Sequence, residues 1–111
     1  MCGRFALSST TNELITAFVA AGGRAEDWRP TYSIAPTTSA PIVRIASSEQ
    51  DRKQRELTLA RWDWPKPPNR PAGGPIINAR IEKLTSRFWV GAFSHSRCLV
   101  PMAPGYIEWT G

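Results

Sequence analysis

Five of the chain's ten prolines fall within one short stretch, at positions 65, 67, 68, 71 and 75, together with Gly73 and Gly74. Proline fixes φ and carries no amide hydrogen, so it suits neither a helix interior nor the middle of a sheet. Residues 63–75 therefore read as a stiff, irregular surface loop, and regular structure has to form on either side of it. Apolar extended segments flank the loop, Glu56–Trp62 before it and Ile76–Asn78 after it. That favours a loop inside one domain over a linker. The length, 111 residues, is that of one domain or part of one.

The flanking blocks alternate between strand and helix patterns. Residues 3–7 read as a first strand. Thr10-Thr11-Asn12-Glu13 has the form of a capping box, with Thr10 at the N-cap and Glu13 reaching back. Leu14, Ile15, Phe18 and Val19 follow at helical spacing, and Gly22-Gly23 stops the helix. Segment 24–40 reads as irregular, with Pro30 and Pro36 flanking Tyr32-Ser33-Ile34. Ile42–Ile45 is a short strand, 46–53 a polar turn and 56–62 a returning strand, so 41–62 reads as a β-hairpin. Leu84 and Phe88, four apart, predict a helix over about 81–92, weakened by Gly91. Cys98–Val100 reads as a buried strand and Tyr106–Trp109 as another. The chain stops at Gly111, directly after an apolar strand, which predicts a fold cut short.

Composition narrows the function classes. No apolar stretch approaches membrane-span length and no charged-then-apolar leader opens the chain, which predicts a soluble, cytoplasmic protein. Cys2 and Cys98 are too few for a disulfide framework and read as thiols. One histidine, His95, and no C-x-x-C or H-x-E spacing leave no metal and no cofactor in view. His95 itself reads as a surface-loop residue. The net charge is +5, which suits a polyanionic partner. Five tryptophans strengthen that reading, since aromatic faces stack on unpaired bases. The competing expectation is that at least three of Trp28, Trp62, Trp64, Trp89 and Trp109 are structural.

Cys2 is the residue with the most unusual chemistry open to it. Methionine before a small side chain is commonly removed. Cys2 would then hold a free α-amine and a thiol on adjacent carbons. The amine condenses with an aldehyde to an imine, and the thiol closes on the same carbon to give a thiazolidine. Both nucleophiles sit on one residue, so the second step is intramolecular. The plainer reading is that Cys2 is simply the second residue of a strand. Other polar residues have plain readings too. Asn78 caps the following helix, Arg80 and Glu82 form a solvated pair, and Glu108 lies on the wet face of its strand.

Their joint order says more. Met1-Cys2-Gly3-Arg4-Phe5, Tyr32-Ser33-Ile34-Ala35-Pro36, Arg61-Trp62, Ile77-Asn78-Ala79-Arg80-Ile81-Glu82, Arg97-Cys98-Leu99-Val100-Pro101 and Gly105-Tyr106-Ile107-Glu108-Trp109 occur in that sequence. The set, spanning residues 1 to 110, resembles the SRAP family, the SOS response-associated peptidases or abasic-site processing proteins. The resemblance implies an α+β fold, a mainly antiparallel, barrel-like sheet with peripheral helices, here as its N-terminal portion over 1–111 with the C-terminal half absent.

It also implies a function. Family members bind single-stranded or junction DNA and capture the aldehyde of a ring-opened abasic site as a thiazolidine on the N-terminal cysteine. Removal of the methionine is attributed to the protein itself or to an aminopeptidase. By position, Cys2 matches the nucleophile, Asn78 the residue that positions the reacting end, and Glu108 the proton shuttle. Shielding by Trp109 and Tyr106 would raise the Glu108 carboxyl toward a useful acid. The α-amine must be unprotonated, and such amines titrate near ~8. Arg4 and Arg80 match positions beside the DNA backbone. Pro36 and Trp62 match the groove that receives bases, with Trp62 equally readable as a core plug.

The chain also departs from the family pattern. It has Asp63-Trp64-Pro65-Lys66 where a glycine, an apolar residue and a proline–tryptophan pair usually follow Trp62. Met102-Ala103-Pro104 lengthens the approach to Gly105 by one residue. The family's later histidine has no counterpart, and His95 is not it. Two other readings stay open: a non-covalent single-strand-binding module, and an inactive fragment that needs a partner chain or a dimer to complete its sheet.

Overall fold

A computed structural model describes residues 2–18, 28–46, 54–66 and 74–108, the side chains of Ala46 and Glu108 excepted. The elements are β1 (Cys2–Leu7), α1 (Thr11–Phe18), β2 (Thr31–Ile34), β3 (Ser39–Ala46), β4 (Gln54–Arg61), a 3₁₀ turn (Ile81–Lys83), α2 (Val90–His95) and β5 (Tyr106–Glu108). The fold is α+β with antiparallel sheets. β1 sits at the centre of a three-stranded sheet in the order β2-β1-β5, and β3 and β4 form a separate two-stranded sheet. Among the described residues these strands do not close into a barrel. None of the described helices is long and apolar enough to cross a membrane.

The predicted hairpin forms in one continuous register, from Ser39 opposite Arg61 to Ala46 opposite Gln54. Its alternation sends Val43 and Leu57 into the core, where they meet Phe5 and Leu7 of β1, Ile34 of β2, Leu14 of α1 and Ala40. Leu57 is wholly buried, so the hairpin and the β1 sheet share one interior. α1 lays Leu14 on that interior, with Ile15 and Phe18 packed beside it. Its start is the capping box read from the sequence. The Glu13 N–H donates to Thr10 Oγ1 at 3.2 Å, and the Thr10 N–H donates to Glu13 Oε1 at 3.0 Å. The Gly22-Gly23 stop and most of the 46–53 turn lie outside the described residues.

Three expectations are corrected. Segment 24–40 is not uniformly irregular, because Thr31–Ile34 pairs with β1, Phe5 facing Ile34 and Leu7 facing Thr31. The single helix over 81–92 is instead a 3₁₀ turn, a series of turns and then α2. The Lys83, Leu84 and Ser86 N–H groups each bond three residues back, to Arg80, Ile81 and Lys83. Thr85 and Ser86 are weak helix formers. Trp89 packs instead on Trp64, with ring centroids 5.4 Å apart, and on Phe88 at 4.8 Å. Finally, Cys98–Val100 is no buried strand. Leu99 is 52% exposed and makes only an isolated bridge to Val43.

The proline-rich loop is closed at its base. The Trp64 N–H donates to the Ile76 carbonyl at 2.8 Å, and the Ile76 N–H donates to Asp63 Oδ1 at 3.1 Å. Residues 67–73 within it lie outside those described.

Candidate active site

Cys2 begins the central strand of its sheet, where the backbone is irregular. Cys2 pairs with Glu108 and Arg4 with Ile107, so the register shifts by one residue at Gly3. A bulge of this kind bends the strand and re-aims the side chains beside it. The Cys2 thiol reaches forward along its own strand and donates to the Arg4 carbonyl at 3.7 Å. The half-buried side chain of Asn78 reaches the same residue, its Nδ2 donating to the Cys2 carbonyl at 3.2 Å. Asn78 therefore does not cap a helix; the residue before the 3₁₀ turn is Arg80, whose side chain makes no capping bond.

The three residues that the sequence put forward as catalytic thus meet at one end of the sheet: Cys2 and Asn78 through a hydrogen bond, Cys2 and Glu108 as cross-strand partners. The expected shielding of the Glu108 carboxyl falls on a side chain and on Trp109, both outside the described residues. Tyr106, the other expected shield, is 58% exposed.

The residues expected to face DNA are dispersed. Arg4 is exposed on β1 and donates from Nη1 to Ser33 Oγ at 2.9 Å. Pro36 is half-buried in the turn after β2, which takes Thr37 to a φ of 71°. Arg80 is exposed and lies 3.7 Å from Glu82, the solvated pair that the plain reading anticipated. Trp62 packs on Phe5 with ring centroids 5.6 Å apart and donates from Nε1 to the Ile77 carbonyl at 2.8 Å. It is thus partly a core plug, and it also lines the open groove beside Cys2.

That groove, about 960 Å³, runs from Cys2 and Asn78 past the outer face of the hairpin to α2. Arg4, Pro36 and Arg80 are not among the described residues that line it; Arg44, Arg61 and Arg97 are. The Arg44 Nε and Nη2 both donate to Glu56 Oε1, at 3.2 and 3.0 Å. Arg61 stands 3.9 Å from Asp63, and the Arg97 guanidinium sits 5.3 Å from the centre of the Phe93 ring. Three arginines against two carboxylates leave the groove wall positive. Exposed pairs of this sort add little stability, so the arginines are free to exchange partners for an incoming anion.

Trp64 and Trp89 add two aromatic rings to the wall. These residues were missed individually. The hairpin register would have found Arg44 facing Glu56, since cross-strand partners share a sheet face. Nothing local in the sequence signals that Arg97 and Trp89 turn to the same wall.

His95 is the last residue of α2 rather than part of a loop; it is exposed and lines the groove. Cys98 also lines the groove. The residue as a whole is exposed, yet desolvation by the surrounding wall pushes its thiol above the usual cysteine range. Among the described residues, no three His, Cys, Asp or Glu side chains gather as a metal ion would require.

The family model for SOS response associated peptidase (SRAP) matches residues 1–111, and the chain belongs to that family. Curated relatives agree. The chain is 31% identical to the abasic site processing protein YedK of Escherichia coli strain K12 over 98% of its own length and 48% of the relative's. It is 30% identical to YoaM of Bacillus subtilis strain 168, over 98% and 47%. It is also 30% identical to YoqW of the same strain, over 98% and 48%. Both of these are likewise abasic site processing proteins. The chain spans about half the length of the curated relatives it matches. No solved structure matches it.

Proposed function

We propose that this chain processes abasic sites in single-stranded DNA by capturing their ring-opened aldehyde on Cys2. The observation that carries the reading is the hydrogen bond from Asn78 to the Cys2 carbonyl, across 76 residues of sequence, with Glu108 paired opposite. The names of the relatives supply the substrate class.

With Met1 in place the Cys2 nitrogen is an amide and is not nucleophilic. Hydrolysis of the Met1–Cys2 bond, by an aminopeptidase or by the protein itself, frees the amine. The neutral amine then adds to the aldehyde carbon to give a carbinolamine. That intermediate loses its hydroxyl as water, leaving an imine. The step needs a proton donor, and Glu108 on the partner strand takes that role. The thiol adds across the C=N bond, its sulfur to carbon and a proton to nitrogen. The thiazolidine that results differs from the reactants by one water. Asn78, anchored on the Cys2 carbonyl, fixes the backbone that carries both nucleophiles and supplies a preorganised amide beside the sugar hydroxyls.

The positive, aromatic-lined groove suits a phosphate backbone and unpaired bases. Arg4, Arg80 and Pro36 stand outside the groove wall, so in this reading they contact DNA that runs on beyond it.

The test is a denaturing gel. Single-stranded DNA with one abasic site should form a denaturation-resistant adduct with the wild type and none with Cys2→Ala. Equal adducts from both would sink the covalent mechanism. Binding without adduct, weakened by salt and indifferent to the abasic site, would leave a single-strand-binding module.

A further inference from the structure

The segment that departs from the family pattern holds the backbone leading into Asn78. Three consecutive residues grip two others across the proline-rich loop. Asp63 Oδ1 accepts from the Ile76 N–H at 3.1 Å, and the Trp64 N–H donates to the Ile76 carbonyl at 2.8 Å. Trp62 Nε1 donates to the Ile77 carbonyl at 2.8 Å. The next residue is Asn78, whose Nδ2 donates to the Cys2 carbonyl.

The grip is itself anchored. The Trp62 N–H donates to the Thr38 carbonyl at 3.0 Å, the Trp62 carbonyl accepts from the Thr37 N–H at 2.9 Å, and the Trp62 ring packs on buried Phe5. After Ile77 the described restraints are the Asn78 side-chain bond itself and the turn that starts from the Arg80 carbonyl. Asn78 to Arg80 adopt no regular structure, and Ala79 and Arg80 are exposed.

We propose that Trp62 and Asp63, through their side-chain hydrogen bonds to Ile77 and Ile76, are positioning residues that set Asn78 against Cys2. The inference rests on the capture reading above. Neither side chain touches the reacting atoms; both act through the 76–78 backbone. The carboxylate at 63 is what this chain supplies where the family pattern has glycine, which has no side chain to accept the Ile76 amide. Near-attack geometry is sensitive to small displacements, so loosening this backbone slows the bond-forming step more than it weakens binding.

The test uses protein lacking Met1 and three variants. Asp63→Ala removes the acceptor for Ile76. Asp63→Asn keeps a carbonyl acceptor. Trp62→Phe keeps an aromatic ring on Phe5 and drops the donor. Cross-linking time courses over a range of abasic-DNA concentrations separate the maximal rate from the half-saturating concentration. The ¹⁵N–¹H spectrum without DNA follows the Asn78 side-chain amide.

Asp63→Ala and Trp62→Phe should each lower the maximal rate about ten-fold. The half-saturating concentration should agree within about two-fold between Asp63→Ala and Asp63→Asn, which both remove one carboxylate from the groove wall. The Asn78 amide pair should move toward free-amide positions in Asp63→Ala and Trp62→Phe. Asp63→Asn should recover most of the rate and the wild-type Asn78 resonances. Unchanged maximal rates, or Asn78 resonances that stay put in Asp63→Ala, overturn the proposal. Should Trp62→Phe fail to fold, Asp63→Ala against Asp63→Asn decides alone. A wild type that forms no adduct sinks the capture reading, and the Asn78 resonances then decide the clamp by themselves.

Discussion

Cys2 and Cys98 line one groove but are set up for different chemistry. The Cys2 thiol is directed onto the Arg4 carbonyl at a strand bulge. Cys98 has its thiol pushed up by desolvation, and it is the thiolate that attacks electrophiles. Because its folded value is raised, Cys98 stays a thiol to higher pH than a free cysteine. Alkylation by iodoacetamide, mapped by peptide mass across a pH series, should therefore show the Cys98 rate rising at higher pH than that of a cysteine in a short reference peptide. Coincident curves would contradict this. At this scale the motif order of the sequence singles out Cys2, Asn78 and Glu108, and the fold brings them to one end of a sheet. The sequence could not show that Asn78 prefers the Cys2 carbonyl to a helix cap, since that partner lies 76 residues away.

Among the elements, α1 and the β3–β4 hairpin follow from local rules. Thr10 and Glu13 satisfy each other's amides, and the hairpin's alternation puts Val43 and Leu57 together on the core side, with Ala40, of opposite parity, joining the core near the start of β3. The stretch from 81 to 100 does not follow such rules. Leu84 and Phe88 have helical spacing, but the contact of Trp89 with Trp64 and the bridge of Leu99 to Val43 take over. Both are tertiary contacts that no local pattern contains.

The cap gives a pH prediction. The hydrogen bonds from Thr10, first its backbone amide and then its hydroxyl, hold the Glu13 carboxyl below the ordinary glutamate range. A depressed carboxylate stabilises the fold above its unfolded pKa, and that contribution is lost as pH falls through the folded value. Thr10→Ala should lower stability by about 1 kcal/mol at neutral pH, a Tm decrease of about 4–6 °C. Thr10→Ala leaves the backbone amide bonded to the Glu13 carboxylate, so the pH dependence is read from Glu13→Gln, whose gap from wild type should narrow as the pH is lowered through the carboxylate range. A Glu13→Gln gap that is constant down to acid pH would rule out the ionised capping box as its source.

For the whole molecule, the order β2-β1-β5 is what assembles the site. β5 is near the end of the sequence and β1 near its beginning, and their antiparallel pairing brings Glu108 opposite Cys2. The hairpin, packed on the same core, supplies the wall with Arg44 and Arg61 and carries Trp62 at its end. The α+β class was legible from alternation and family resemblance. The hairpin was legible as well; the pairing of β1 with β2 and β5 in a sheet apart from it was not, because those partners are chosen by packing across the core rather than by neighbours in sequence.

The central claim is that Cys2 reacts through both its amine and its thiol, and it is tested most directly by the mass of the cross-linked peptide. Wild-type protein is reacted with single-stranded abasic DNA, the DNA is digested to the linked nucleotide remnant, and the N-terminal peptide is weighed and fragmented. The account predicts a peptide that starts at Cys2, lacks Met1 and carries the remnant on Cys2 with the loss of one water, its thiol no longer alkylatable. A remnant on any other residue, on a peptide that retains Met1, or beside a Cys2 thiol that still alkylates would contradict it.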